Sequence, residues 1–534
     1  MAGRQSTGRS RREIIKALAA GSAALVGGRF AAGPALAQDA ARPVSADIVL
    51  TNGRFVDGRG RVASRMTIRN GRILSLDGEQ AQAPDARTID LGDRTVVPGL
   101  VDAHVHYARA GVNPGYEARR IERAFSIREL QEAISARAAS APPGRFITCI
   151  GGWNHTQFAE ARRPTPAELD DAAPRHAVYI SGTGAGTGAI ANSLARMFLT
   201  SRGVMVDGTT GAVASPPAAV AALQALQTAE DRLRGTADLN AHASSLGLTT
   251  IINSGNLADQ ELTLRLWRED RLGIRMRPLF PADSPGEVET RILNNFSQSG
   301  RAVGDDLFRV AGFGERIGGT NTMSPLFEPT ARVIARHGWL LQQHSITLEE
   351  NDFHISAFRA IDRDHPIRDL RWSLIHLQRI DAQRLKALAA LGAGASAQTW
   401  TYLSAAGGPP FRTIVDSGIR AGVGTDSTNV APLDPWLTIS YMVTGRNLAG
   451  VVTNAGQQIS RLEALRLYTE GAAWFSFDDH HVGSFSAGKY ADLVVLSHDY
   501  LAVPDDMLRR IESVLTFVGG RIVHAAGAFA TLAA

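Results

Sequence analysis

Two histidines separated by one residue, His104 and His106, lie at the end of an apolar segment that covers residues 96–105. Side chains alternate between the two faces of a strand, so both imidazoles point to the same side. Two imidazoles on one side of a strand end can bind a single metal ion. A His-x-His pair alone is a weak signal, because this spacing also arises by chance.

Three further residues that can bind a metal occupy equivalent positions along the chain. His344, His376 and Asp426 each follow a short apolar segment. One histidine in such a position is more often a hydrogen-bonded core residue than a ligand. Five polar residues at the ends of four apolar segments are difficult to explain by packing, so together they predict a metal centre.

The middle of the chain alternates short apolar runs with helical patterns, which predicts βα units around a parallel sheet or barrel. Eight runs have the composition of buried strands, the number that a (β/α)8 barrel requires. Residues from about 155 to 235 do not fit a compact βα unit and are predicted to form an insertion between the second and third strands. The eight runs cover residues 96–105, 146–151, 248–253, 308–313, 339–343, 370–375, 393–398 and 420–424.

The two ends of the chain differ from the middle in their residue pattern. Residues 46–98 contain two Asn-Gly pairs between apolar alternations, which is a hairpin signal, and residues 480–530 are similarly rich in strand-forming residues. We therefore expect one composite β-sandwich built from residues 46–98 and 480–530, beside a barrel formed by residues 99–479.

Several motifs around these positions resemble the amidohydrolase superfamily, specifically the YtcJ-like branch of amidohydrolase family 3. The motifs lie at residues 97–106, 424–426, 431–436, 463–469 and 483–493. The resemblance covers nearly all of residues 46–526. It implies an α/β fold, namely a distorted (β/α)8 TIM barrel with a β-sandwich formed from both chain ends.

The resemblance also implies one or two divalent metal ions, most often zinc, that activate a water for attack on a C–N or related bond. By the same resemblance, His104 and His106 bind the more buried metal, whereas His344 and His376 bind the second metal or share a single one. Asp426 binds metal and takes the proton from the attacking water. General chemistry agrees with these roles, because bound zinc lowers the pKa of water to roughly 7 and a nearby carboxylate can accept its proton.

Lysine is nearly absent from this chain, and this constrains the metal centre. Many relatives bridge two metals with a carbamylated lysine on the fourth strand, but no lysine lies between residues 17 and 385. Glu315, at the end of the fourth strand, is the natural replacement, although it could also be a loop residue or an arginine partner. Cys149 is a second candidate bridge and could equally be a packing residue. If neither bridges, we expect a mononuclear site.

Residues after the second and seventh strands are predicted to line the mouth of the pocket and bind substrate, although each could instead pack a loop. Thr187 stands where the family usually has a histidine, and a Gly-Asp that usually follows the fifth-strand histidine is absent. Because of these two departures from the family's usual pattern, the resemblance does not identify the substrate. The predicted substrate-binding residues are Trp153, Asn154, His155, Gln398 and Trp400.

Residues 1–37 have the features of a twin-arginine export signal, with Arg11 and Arg12 before a mildly apolar run and a small-x-small cleavage pattern. This segment carries a net charge of +5, so the chain's net charge of +4 becomes −1 after its removal. A basic nucleic-acid surface is therefore not expected. No segment approaches the ~20 apolar residues that span a bilayer. We expect a periplasmic or secreted protein, exported folded by the twin-arginine machinery.

The sequence favours a metal-dependent hydrolase that cleaves an amide or related C–N bond of a small non-peptide substrate. A lactone, carbamate or ester hydrolase on the same site is the first alternative. A metal-retaining barrel that binds a ligand without turnover is the second. Whether the chain forms a homo-oligomer stays open.

Overall fold

The computed structural model describes residues 47–78, 86–184, 186–255, 257–296, 304–403, 405–427 and 430–533. The predicted export signal at residues 1–37 lies outside this range. The strands are β1 Ile48–Asp57, β2 Gly60–Ala63, β3 Met66–Arg69, β4 Arg72–Leu76, β5 Arg87–Pro98, β6 Leu100–Val105, β7 Tyr116–Glu117, β8 Ile147–Ile150, β9 Val178–Ser181, β10 Ala189–Ala191, β11 Leu248–Ser254, β12 Arg275–Phe280, β13 Gly312–Phe313, β14 Leu340–Ser345, β15 Ser373–His376, β16 Gly394–Gln398, β17 Ala421–Gly424, β18 Leu493–Leu496, β19 Ser513–Val518 and β20 Arg521–Ala525.

The α-helices are short and mostly follow strands. None of the described helices is long and apolar enough to cross a membrane. They are α1 Tyr107–Gly111, α2 Ile127–Ser140, α3 Pro166–Ala172, α4 Ser193–Ser201, α5 Pro216–Gln224, α6 Ala229–Ser245, α7 Leu257–Arg268, α8 Pro285–Arg291, α9 Phe327–Arg336, α10 Leu348–Asp362, α11 Ala382–Ala390, α12 Phe411–Asp416, α13 Pro435–Thr444, α14 Arg461–Arg466 and α15 Ala472–Trp474.

Eight parallel strands form the central sheet, in the order β6, β11, β12, β13, β14, β15, β16 and β17. Its two edges meet beyond β17, where the backbone N–H of Asp426 donates to the His104 carbonyl at 3.0 Å. The N–H of His106 donates to the Ser427 carbonyl at 2.9 Å. The sheet is therefore nearly closed, which confirms the predicted α/β barrel.

The third barrel strand is β12, which the sequence pattern did not reveal. It reads Arg-Met-Arg-Pro-Leu-Phe, and two arginines with a proline do not have the composition of a buried strand. Both arginines are nevertheless buried because each has a carboxylate partner. The Arg275 guanidinium binds Asp492 at 2.7 Å, and that of Arg277 binds Asp478 at 2.7 Å.

The segment that we predicted as the second barrel strand, residues 146–151, belongs to a separate sheet. Its core, β8, pairs with β7 and β9 in a four-stranded sheet whose order is β10, β9, β8 and β7. The insertion therefore begins soon after α1 and ends before α6. It lies between the first and second barrel strands, not between the second and third. It also begins earlier in the chain than the predicted range of about 155–235.

Both chain ends contribute to one further sheet, in the order β20, β19, β18, β5, β1, β3 and β4, with β2 paired to β1. Strand β18 pairs with β5, so the two ends are joined directly. The eight strands are hydrogen-bonded as one continuous sheet, so the two chain ends build a single β-rich unit, as the sequence predicted. Phe55 and Phe485, one from each end, pack edge to face in its core at 5.5 Å.

Candidate metal centre

Six side chains that can bind a metal converge at the carboxyl ends of five barrel strands. The first strand supplies two histidines, the fifth and sixth supply one each, and the fourth and eighth are each followed by a carboxylate. All six side chains are at least three-quarters buried, and that of His106 is the most exposed, at 22%. They are His104, His106, Glu315, His344, His376 and Asp426.

Glu315 lies between two pairs of histidines and directs one oxygen toward each pair. Its Oε2 is 2.9 Å from His106 Nε2 and 3.3 Å from His104 Nε2. Its Oε1 is 2.9 Å from His344 Nδ1 and 3.7 Å from His376 Nε2. A carboxylate with one oxygen on each side has the arrangement needed to bridge two ions.

Asp426 faces the same centre from the eighth strand. Its Oδ1 lies 3.5 Å from His106 Nε2 and 3.6 Å from His104 Nε2. Its Oδ2 lies 3.7 Å from His376 Nδ1. These distances exceed ordinary hydrogen bonds, so the carboxylate adjoins both halves of the cluster without being fully paired by it.

The polar atoms of this cluster are those expected of metal ligands. Both ring nitrogens of His104 and of His376, together with Glu315 Oε2, are buried without a hydrogen-bond partner. Buried polar atoms normally have partners, so such a concentration is typical of side chains that bind a cation. The residues therefore fit a divalent metal ion.

The electrostatics of the cluster point in the same direction. Burial lowers the pKa of His104, but the carboxylates of Asp426 and Glu315 outweigh it and raise that pKa to about 10. Burial raises the pKa of Glu315, yet the four histidines together hold it well below its usual value. The two buried carboxylates thus require positive charge beside them, which a divalent cation supplies.

Comparison with known proteins decides the family. Residues 87–524 match the amidohydrolase family. The chain belongs to this family. An N-substituted formamide deformylase from Arthrobacter pascens is 24% identical to it over 533 residues, which cover 89% of this chain and 97% of that enzyme. This amidohydrolase is accordingly a metal-dependent hydrolase, as the five strand-end ligands predicted.

Solved structures share the fold. An uncharacterized metal-dependent hydrolase from Pyrococcus horikoshii matches with a TM-score of 0.57 and 19% identity, covering 86% of the amidohydrolase and 99% of that chain. An atrazine chlorohydrolase from Arthrobacter aurescens, complexed with zinc, matches with a TM-score of 0.52 and 16% identity. The match covers 90% of this chain and 95% of the chlorohydrolase chain.

The orientation of His106 is fixed by the neighbouring strand of the amidohydrolase barrel. Its Nδ1 lies 3.1 Å from the carbonyl oxygen of Ser254, at the end of β11. Since a carbonyl can only accept, Nδ1 carries the proton and Nε2 presents a lone pair. That Nε2 is the atom that faces Glu315 and Asp426, so the ring is held as a metal ligand.

Asp102 organises the first and eighth strands beneath the metal centre of the amidohydrolase. Its carboxylate accepts from the Thr425 hydroxyl at 2.6 Å, from the Thr425 N–H at 3.1 Å and from the His104 N–H at 3.1 Å. No role for Asp102 was predicted from the sequence. The alternation of β6 could have indicated one, because Asp102, His104 and His106 share one face of the strand.

Gln398 and Trp400 lie at the same end of the barrel, on and after the seventh strand. The side-chain oxygen of Gln398 accepts from the backbone N–H of His376, and its amide donates to Ser396 Oγ at 2.9 Å. Gln398 therefore helps to position the backbone of His376 at the end of β15. Trp400 begins a short 3-10 helix, Trp400–Leu403, and is partly exposed.

The other predicted pocket residues belong to the inserted sheet. Trp153 is buried and stacks on Phe158 at 5.8 Å. Asn154 caps a 3-10 helix, and His155 Nδ1 lies 3.0 Å from Thr187 Oγ1. The hydrogen bonds and the ring contact of these three predicted residues are made within the insertion, and a substrate contact remains a prediction.

Cys149 is also part of the insertion. It lies in the middle of β8, fully buried in the apolar core of the small sheet, where burial raises the pKa of its thiol. Its predicted position on a barrel strand is wrong, because β8 belongs to the four-stranded sheet. Cys149 is absent from the described groups of side chains that can share a metal, whereas Glu315 is present in both.

We predict that Thr425→Val weakens the amidohydrolase by removing the shortest hydrogen bond to Asp102. A buried carboxylate would lose a charge-assisted partner, which costs roughly 1.5–3 kcal/mol. The unfolding midpoint in urea should fall and the metal content per chain should decrease. Thr209→Val, at an exposed turn, is the matched control and should change neither quantity. An unchanged midpoint for Thr425→Val would contradict this role for Asp102.

Proposed function

We propose that the protein hydrolyses an amide or a related C–N bond of a small non-peptide substrate. The observation that carries this proposal is the convergence of four imidazoles and two carboxylates at the open end of a barrel whose family consists of amidohydrolases. The formamide deformylase relative acts on the same kind of bond, according to its name. We further propose that the centre holds two zinc ions.

Two groups of residues would hold the metal. His104, His106 and one oxygen of Glu315 form the first group, and His344, His376 and the other oxygen form the second. Zinc bound there would supply a water of lowered pKa and would polarise the scissile carbonyl as a Lewis acid. The high burial of the ligands places the centre in a lower effective dielectric than that of the solvent, which strengthens every charge interaction within it.

Asp426 is the residue best placed to move the proton. Its two oxygens lie beside both histidine groups, and its side chain keeps 10% exposure toward the open end. The neighbouring histidines outweigh the effect of burial and keep the pKa of Asp426 below its usual value, so it is ionised and ready to accept. After taking a proton from the attacking water at one oxygen, it can deliver that proton to the leaving nitrogen.

We predict that Asp426→Asn lowers kcat by at least ~100-fold, the usual contribution of a general base. The measurement is a hydrolysis screen with the zinc-loaded protein over N-formyl amines, N-acyl amides, cyclic amides and, in parallel, lactones. Amide turnover that Asp426→Asn abolishes supports the proposal, whereas faster turnover of lactones would favour an ester-type hydrolase.

The matched control is Asp364→Asn, which alters a largely exposed aspartate on the barrel exterior. It should retain full activity. Unchanged turnover by Asp426→Asn would contradict the mechanism. Tight binding of an amide that is recovered intact would favour a binding protein without turnover.

We predict that Glu315→Ala reduces the metal content from two ions per chain to one or none, because both histidine groups lose a shared oxygen donor. Inductively coupled plasma mass spectrometry of the purified proteins measures this directly. Glu328→Ala, at an exposed glutamate, serves as the control and should keep two ions. One ion in both the wild type and Glu315→Ala would exclude bridging.

We also propose that the protein is exported folded by the twin-arginine route and works in the periplasm or outside the cell. Arg11 and Arg12 support this proposal. Replacing both arginines with lysine should retain the full-length chain in the cytoplasm, as measured by fractionation and immunoblotting. Arg4→Lys with Arg9→Lys is the control and should leave export intact. Equal export of both variants would contradict the proposed route.

A further inference from the structure

Arg316 follows the metal-facing Glu315 directly and is a cation at the open end of the barrel. Its Nε lies 3.7 Å from Glu315 Oε1, the oxygen that faces His344 and His376. The side chain is 44% exposed, whereas the metal-facing side chains are 22% exposed or less. Arg316 thus lies between the buried centre and the solvent, on the side from which a substrate arrives.

The guanidinium of Arg316 is anchored at one end and open at the other. Its Nη1 donates to the Thr320 carbonyl at 3.0 Å. Its Nε is too far from Glu315 for a hydrogen bond. The edge formed by Nε and Nη2 is therefore the edge that a planar, two-oxygen anion can approach, and a carboxylate matches that fork.

Among the residues that the structure describes, no carboxylate hydrogen-bonds to this edge. Among the described residues, only Glu315 brings a carboxylate within 4.0 Å of the Arg316 guanidinium. Glu315 already faces four histidines. Glu350 is also engaged, because it accepts from the Thr322 hydroxyl at 2.6 Å and from the N–H of Ile346 and Thr347.

The charge of the loaded centre reinforces this point. The six metal-facing side chains carry two negative charges, from Glu315 and Asp426, which a single divalent ion balances. A second ion would make the centre positive, and Arg316 would add one further positive charge at its edge. Such a site attracts anions and disfavours cationic amines.

We propose that Arg316 binds the carboxylate of the substrate, so that the enzyme acts on N-acyl amino acids and similar amides that carry a carboxylate near the scissile bond. This inference rests on the function proposed above. A charge-assisted hydrogen bond of ~2.8 Å to Nε keeps the anion within ~6.5 Å of Glu315 Oε1. At that separation, an N-acyl α-amino acid can place its carboxylate on Arg316 and its scissile carbonyl at the metal centre.

The same region of the barrel rim exposes apolar side chains that suit the rest of such a substrate. Met323 and Leu326 follow Arg316 on the fourth-strand loop, and Leu348 begins α10. They are exposed by 45%, 45% and 38%. An amide with an apolar side chain beside its carboxylate is therefore the appropriate probe.

The test compares two compounds that differ only by the carboxylate: N-formylphenylalanine, as each enantiomer, and N-formyl-2-phenylethylamine. The zinc-loaded wild type should favour the acid in kcat/KM. Arg316→Met should lower kcat/KM for the acid by about 10- to 100-fold, mainly through KM, and change that for the neutral amide by less than ~3-fold. Arg316→Lys, which keeps the charge but not the fork, should be intermediate.

Metal content and salt dependence separate this role from a structural one. Arg316→Met should keep the metal content of the wild type, and rising salt should slow turnover of the acid more than that of the amide. Arg128→Met, at an arginine that is 86% exposed, is the control and should change nothing. Equal losses for both compounds, or lost metal, would overturn the inference while leaving the hydrolase proposal standing. Hydrolysis of neither compound nor any other amide would overturn both.

Discussion

The structure depends on one electrostatic constraint, the burial of two carboxylates among four imidazoles. Burying a carboxylate is costly unless charge or hydrogen bonds compensate it. In this cluster, Glu315 and Asp426 are buried, and ring nitrogens of His104 and His376 lack hydrogen-bond partners. Only a cation satisfies both the carboxylates and the lone pairs of the imidazoles. The barrel must therefore hold six side chains from five strands within a few ångströms of one another.

The closure of the barrel provides that precision. The first and eighth strands meet through the Asp102 carboxylate and Thr425, and through backbone hydrogen bonds on either side of Asp426. The backbone of His376 and of Asp426 is held at positive φ, +76° and +58°, which costs about 1–3 kcal/mol each. The surrounding hydrogen bonds offset this strain, and both residues face the metal centre.

The sequence pattern predicted the metal-facing residues better than it predicted the strands. His104, His106, His344, His376 and Asp426 were identifiable because a polar ligand at the end of an apolar run has no packing explanation. Strand β12 was not identifiable, because Arg275 and Arg277 are buried only through carboxylates that lie about 200 residues away in the chain. Strand β8 was misplaced for the converse reason, since its apolar residues fill the core of the insertion. Local composition does not reveal pairings that tertiary structure alone creates.

The scarcity of lysine has a chemical consequence for the fourth strand. A carbamylated lysine must react with carbon dioxide before it can bridge two metals, whereas a glutamate carries its carboxylate from synthesis. Glutamate is shorter, so the backbone at Glu315 must lie closer to the centre, and its own carbonyl accepts the N–H of His344 at 2.9 Å. That closeness also brings the next residue, Arg316, to the rim of the metal centre. The same residue whose two oxygens face the two pairs of histidines thus positions the Arg316 guanidinium, with Nε 3.7 Å from Glu315 Oε1.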